Sequence, residues 1–147
     1  MNASANARVI GFDFGLKRIG VAAGNIRTGT SQGLSVLAAK DGAPDWRELA
    51  RLLEQWLPSA LVVGLPLHMD GSESEMATRA RAFAADAGRR FSFDVVLIDE
   101  RLTSVAADAL LAQATAAGKS QRRKRARHRD SLAAELIVRA YLDQRRD

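Results

Sequence analysis

The order of apolar and polar positions along the chain predicts a sheet that begins with adjacent strands and continues with strands separated by helices. Residues 8–14, 19–24 and 33–38 are short β-type runs joined by turns that contain glycine. Residues 60–66 and 93–99 are apolar almost throughout, which is typical of strands buried on both faces. The pattern predicts an antiparallel three-strand start, followed by two parallel strands reached through helical crossovers.

Four helices are predicted between and after these strands. Capping patterns and helical spacing of apolar residues place their starts at Asp45, Ser72, Thr103 and Asp130. The second helix is expected to end near Gly88 and the third at Gly118. The expected apolar stripe of the fourth helix is Leu132, Leu136, Ile137, Ala140 and Tyr141. We therefore expect an α/β fold with a mixed five-stranded sheet flanked by helices.

Composition narrows the class of protein. The chain has 147 residues, of which 47% are hydrophobic, enough for one core, and we expect a single domain over residues 1–147. It contains no cysteine, which excludes disulfides, thiolate metal sites and cysteine nucleophiles. The first nine residues resemble no signal peptide, and no apolar run is long enough to span a membrane. These features predict a cytoplasmic protein.

Positive charge is concentrated near the end of the chain. Residues 119–147 contain ten Lys or Arg against four Asp or Glu, whereas residues 1–118 contain twelve against thirteen. Within residues 119–129, which we call the basic segment, seven cations follow one another closely: Lys119, Arg122, Arg123, Lys124, Arg125, Arg127 and Arg129. Such a run favours a flexible arm that binds nucleic-acid phosphates, although a solvated linker is the simpler alternative.

Three carboxylates stand where ligands collect in open α/β sheets. Asp13 lies in the first strand, Glu100 directly follows the strand at 93–99, and Asp130 begins the last helix. Each has an ordinary explanation, with Asp13 as a bulge or turn residue, Glu100 as a partner of Arg101 and Asp130 as a helix cap. If the three meet, their repulsion requires a cation, and oxygen ligands favour Mg²⁺ or Mn²⁺.

A pair of such ions would activate water and stabilise the leaving oxygen of a phosphodiester. Gly15 would then allow the backbone to approach a phosphate or metal closely. Lys17 and Arg101 are candidate phosphate contacts, with a turn and a surface salt bridge as their alternatives. The loop from Gly64 through Pro66 to Gly71 links a strand to a helix, and either binds a phosphate or separates strands, or is a simple turn.

Four ordered segments resemble one family. They are GFDFGLKRIGVA, LVVGLPLHMDGSES, LIDERLTSVAA and HRDSLAAELIVRAYL, and they extend over nearly the whole chain. The sequence resembles the YqgF family of Holliday junction resolvase-like proteins, also described as pre-16S rRNA nucleases. The resemblance implies a ribonuclease H-like fold, metal-dependent phosphodiester hydrolysis at Asp13, Glu100 and Asp130, and a role in maturing the 5′ end of small-subunit ribosomal RNA. Arg129 departs from the pattern, because an apolar residue is expected before Asp130.

Other functions remain open at this point. A Holliday junction resolvase acting on DNA, or a noncatalytic RNA-binding factor of ribosome assembly, would share the same fold and charge. An ATPase of the actin and sugar-kinase type is disfavoured because those enzymes close two such domains over the nucleotide. The expected partners are therefore pre-rRNA or branched DNA, together with ribosomal assembly particles, and the chain is expected to act as a monomer or homodimer.

Overall fold

The computed structural model describes residues 7–103 and 131–145. The strands are β1 (Arg8–Asp13), β2 (Arg18–Asn25), β3 (Thr30–Lys40), β4 (Ala43–Pro44), β5 (Ala60–Leu65) and β6 (Val95–Asp99). The helices are α1 (Trp46–Trp56), α2 (Glu75–Phe91) and α3 (Leu132–Gln144), and a 3₁₀ turn (Glu100–Leu102) directly follows β6. No helix among the described residues is long and apolar enough to cross a membrane.

One mixed sheet runs through the described residues in the order β4-β3-β2-β1-β5-β6. β1 pairs antiparallel with β2, and β2 with β3, whereas β1–β5 and β5–β6 are parallel. The register places Phe12 beside Val63 and Leu65 beside Asp99. The carboxyl ends of β1, β5 and β6 therefore lie at one edge of the sheet.

Local sequence accounts for where the helices begin. The Asp45 carboxylate accepts hydrogen bonds from the backbone N–H groups of Arg47 and Glu48 and so caps α1. Ser74 caps α2 by accepting a bond from the Ala77 N–H at 3.0 Å. Each cap satisfies donors that the first turn of a helix leaves unpaired. The start at Asp45 agrees with the sequence pattern. The second helix begins two residues later than predicted, because the hydroxyl of the expected cap, Ser72, donates to Asp70 and Ser74 takes its place.

Helices cover both faces of the sheet. On one face, α1 and α2 pack Leu49, Leu53 and Phe83 against Phe12 and other apolar strand residues. On the opposite face, α3 packs against a second cluster that includes Val9, Ala22, Val62 and Ile98. Burial of apolar side chains on both faces explains why β1 and β5 are apolar almost throughout.

The predicted architecture is confirmed, with differences in detail. The sheet has six strands instead of five, because residues 43 and 44 add the short edge strand β4. Helix α2 continues past Gly88 to Phe91, and the expected third helix lies almost entirely outside the described residues. The basic segment lies outside them as well.

The expected stripe of α3 is partly wrong. Leu132 is 37% exposed, whereas Ala134, Val138 and Leu142 are buried together with Ile137, Ala140 and Tyr141. The reason is the surface on which the helix packs. A Cβ at Gly11 or Gly24 would collide with Val138, so these two glycines let the helix approach the sheet on that side.

Candidate active site

The candidate site lies at the sheet edge where β1, β5 and β6 end. Asp13 is the last residue of β1, and Glu100 is the first residue after β6. Both carboxylates are half-buried. Gly11, two residues before Asp13 and therefore on the same face of β1, is covered by α3. The Asp13 side chain thus projects from the face that α3 covers.

Gly64 explains how two carboxylates from separated strands come together. It lies in β5, between β1 and β6, where a Cβ would lie 3.0 Å from Glu100 Cγ and would collide with Ile137 of α3. Because position 64 has no side chain, Glu100 can extend across β5 towards Asp13. The Gly64 of the sequence analysis therefore has a role in shaping the site.

The electrostatics of the pair are unfavourable without a cation. Burial, together with the negative charges of Asp13 and Asp99, raises the pKa of Glu100 to about 7. Burial also raises the pKa of Asp13 above its ordinary range. No ion pair within residues 7–103 and 131–145 neutralises either carboxylate. We call these two carboxylates the acidic pair, and no basic side chain in the described part of the chain balances their charge.

Helix α3 reaches the same edge of the sheet. Its residue Ala134 lies beside Gly11, and Leu142, two turns later, lies beside Gly24 at the other end of the strands. The helix consequently runs antiparallel to β1, with its N-terminal end towards Asp13. Ser131, which is buried, precedes the first helical residue. Asp130, the third predicted carboxylate, lies outside the described residues.

The donor set suits a hard divalent cation. Asp13 and Glu100 offer carboxylate oxygens, the ligands that Mg²⁺ and Mn²⁺ prefer, and a cation would offset the burial and the repulsion that together raise the pKa of Glu100. Within the described part of the chain, no three His, Asp or Glu side chains form a group able to hold a metal. Asp13 and Glu100 therefore have the donor chemistry of a metal site, and a third donor is not found among the described residues.

Arg101 contacts a different carboxylate from the one considered in the sequence analysis. Its Nε donates to both oxygens of Asp99, at 3.0 and 2.9 Å, and its Nη2 donates to Asp99 Oδ2 at 2.6 Å. The pairing of Glu100 with Arg101 is therefore wrong. This charge holds the pKa of Asp99 below its ordinary value. The remaining nitrogen, Nη1, donates to the backbone carbonyl of Met69 at 3.2 Å.

The turn between β1 and β2 contains two other predicted residues. Lys17 is exposed, and its backbone carbonyl accepts a hydrogen bond from the Ala39 N–H, which anchors the turn to β3. A Cβ at Gly15 would lie 2.5 Å from the carbonyl oxygen of Arg18. Gly15 is thus explained by a close approach within the turn itself.

The loop between β5 and α2 begins at the same edge of the sheet as the acidic pair. Pro66 begins it, and the Pro66 carbonyl accepts a hydrogen bond of 2.7 Å from the Ser74 hydroxyl. Gly71 has a positive φ of 88°, a backbone conformation that residues with a side chain rarely adopt.

The sequence analysis missed Asp99 as the partner of Arg101, although the two flank Glu100 in the run Asp-Glu-Arg.

Comparison with known proteins places this chain among close relatives. The sequence model of the RuvX family, described as Holliday junction resolvase, matches residues 7–144. A protein of Nitrosospira multiformis named "Putative pre-16S rRNA nuclease" is 43% identical over 136 residues, which cover 92% of this chain and 87% of the relative. A Yersinia pestis protein of the same name is 50% identical over 107 residues, or 73% and 76% of the two chains.

Solved structures with low sequence identity share the fold. Thermus thermophilus RuvC in complex with a Holliday junction substrate has a TM-score of 0.55 and 17% identity, over 95% of this chain and 97% of that one. The fowlpox virus resolvase in complex with Holliday junction DNA has a TM-score of 0.56 and 11% identity, over 95% and 99%. The family match and the identity to these relatives show that this chain belongs to the RuvX family, described as Holliday junction resolvase.

Proposed function

We propose that this protein is a metal-dependent nuclease that hydrolyses phosphodiester bonds in the 5′-end processing of pre-16S rRNA. The observation that carries the proposal is the acidic pair, half-buried and without a described cation. Buried like charges raise the free energy of a fold, so a retained pair of this kind is typical of a metal or catalytic site. The names of the relatives supply the substrate.

Asp130 is proposed as the third ligand. It directly precedes Ser131, and α3 runs with its N-terminal end towards Asp13. A divalent ion, or a pair of them, held by these carboxylates would provide an activated water and stabilise the departing oxygen. The work of the chain itself is then to hold Asp13 and Glu100 near each other, which the missing side chain at Gly64 permits.

Phosphate binding is assigned to cations around this edge. Lys17 is exposed on the turn that follows Asp13, and no described ion pair involves it. The basic segment precedes Asp130 directly in sequence, so its seven cations would contact the backbone of a bound RNA near the carboxylates. We propose that this occurs in the cytoplasm and on ribosomal assembly particles, with the protein acting as a monomer or homodimer.

The decisive experiment compares two end-labelled substrates, a pre-16S rRNA 5′ leader and a four-way DNA junction. Wild type, Asp13→Asn and the control Glu54→Gln, an exposed carboxylate of α1, are assayed with Mg²⁺, Mn²⁺ or EDTA. We expect metal-dependent cleavage of the leader by wild type and by the control, and none by Asp13→Asn. Cleavage that persists in Asp13→Asn would refute the site.

A DNA junction is the second candidate substrate, because the family description names it. Cutting of the junction alone would assign the chain to DNA. If wild type binds both substrates with steep salt dependence and cleaves neither, a noncatalytic role in ribosome assembly replaces the nuclease.

A further inference from the structure

The loop between β5 and α2 contains many hydrogen bonds for a short surface segment. Leu67 and Glu73 form a β-bridge, and the His68 N–H donates to the Ser72 carbonyl at 2.9 Å. The Asp70 carboxylate accepts bonds from both the N–H and the hydroxyl of Ser72, at 2.9 and 2.6 Å. These contacts fix the loop into one conformation.

Arg101 joins this loop to the 3₁₀ turn that contains Glu100. Its guanidinium bonds Asp99 with two nitrogens and the Met69 carbonyl with the third, so it connects residues on both sides of Glu100 to the tip of the loop. The guanidinium also lies over Gly71, where a Cβ would be 3.6 Å from Nη1. Arg101 therefore links the tip of the loop directly to the residues on either side of Glu100.

Met69 at this tip is 93% exposed. A rigid loop holds its flexible apolar side chain in water, beside the site, where no described residue covers it. A polarisable thioether makes favourable contacts with aromatic rings. The thioether side chain has no donor to offer a phosphate oxygen, so the uncharged face of a nucleobase is the part of RNA suited to this tip.

We propose that Met69 contacts an unpaired nucleobase next to the scissile phosphate, and that Arg101 is the positioning residue that holds it there. This inference rests on the proposed function. The base must be unpaired because both faces of a base inside a duplex are covered by its stacked neighbours. The site would consequently favour single-stranded RNA next to the cleavage position over continuous duplex.

The test measures binding, which does not depend on cleavage. Fluorescence anisotropy in EDTA compares wild type, Met69→Ala, Met69→Leu and the control Leu57→Ala, a 64% exposed leucine at the far end of α1. The probes are the single-stranded leader RNA, the same RNA with an abasic site at each position in turn, and a duplex. We expect Met69→Ala to raise Kd for the leader about 2- to 10-fold, with Met69→Leu and Leu57→Ala near wild type.

An abasic site at the contacted position should raise the wild-type Kd by a similar factor and leave that of Met69→Ala unchanged. Arg101→Ala should match Met69→Ala, and the double variant should show no further loss. Hydrogen exchange at the loop amides should accelerate in Arg101→Ala but not in Met69→Ala, which separates positioning from contact.

Equal binding by Met69→Ala and wild type to every probe would overturn the proposal, as would undetectable binding of the leader by wild type. Failure of the nuclease proposal appears differently, as absent cleavage by wild type while the difference between Met69→Ala and wild type in binding persists.

Discussion

Asp99 and Glu100 are adjacent in sequence, but the protein shifts their pKa values in opposite directions. Asp99 faces Arg101, which lowers its pKa, whereas Glu100 turns across Gly64 towards Asp13 and has its pKa raised to about 7. The first carboxylate is neutralised within the fold and helps hold the loop that follows β5. The second remains available to an ion. One backbone step thus separates a structural carboxylate from the one that we propose binds the metal.

The difference follows from the direction of the two side chains. Asp99 is the last residue of β6, and successive side chains leave a strand on opposite faces. The neighbouring side chain is therefore directed to the face covered by α3, where it meets the end of β1. Two acidic residues that are adjacent in a sequence can therefore have different roles, because their side chains reach different faces of the sheet.

The largest expected effect on kcat comes from replacing Glu100, and the matched control is the same kind of replacement at its neighbour Asp99. Glu100→Gln should lower kcat at least about 100-fold, since even residues that only orient metal ligands are worth roughly 10- to 100-fold. Asp99→Asn keeps the acidic pair and should act mainly on KM, through the loosened Arg101 and Met69. Steady-state kinetics on the leader RNA with Mg²⁺ measure both. Equal losses of kcat would abolish the distinction between the two carboxylates.

A second prediction separates packing from site geometry. Gly64→Ala and Gly11→Ala each introduce a methyl group that collides with α3, and each should destabilise the protein by about 1–3 kcal/mol. Only at position 64 does the methyl group also press on Glu100. Urea denaturation should therefore give similar losses, while kcat falls distinctly further in Gly64→Ala. Similar kcat values in the two variants would contradict the proposed role of Gly64.

The smallest effect is a pH dependence of the metal-free protein. Glu100 holds a proton up to about pH 7 in the fold but only to about 4.5 when unfolded, so the native state binds more protons between these values. Stability should therefore fall as pH rises through this window, and the raised pKa of Asp13 acts in the same direction.

Thermal denaturation in EDTA measures this dependence, at about pH 5 and about pH 8. Glu100→Gln should reduce the difference, and Mg²⁺ should raise the Tm of wild type at the higher pH but that of Glu100→Gln much less. A Tm in EDTA that does not decrease from the lower to the higher pH would show that ionisation of the acidic pair does not destabilise the fold.

Local signals predicted most of the fold. The capping residue Asp45 and the continuous apolar runs in β1 and β5 act within a few residues of the structures they specify. The short strand β4 was missed because two residues carry no periodic pattern, and its pairing with β3 depends on the turn at Asp41 and Gly42, both of which have positive φ.

The sequence by itself determined most of the described helices and strands, the acidic residues at strand ends and the position of the basic segment in the chain, because these depend on spacing and residue type alone. Only the tertiary structure decided that Glu100 meets Asp13 while Asp99 binds Arg101, and that α3 buries Val138 instead of Leu132. These outcomes depend on where glycines lie in the strands that α3 and Glu100 pack against. Gly11, Gly24 and Gly64 make room for α3 and Glu100, and their neighbours across the sheet are distant in sequence.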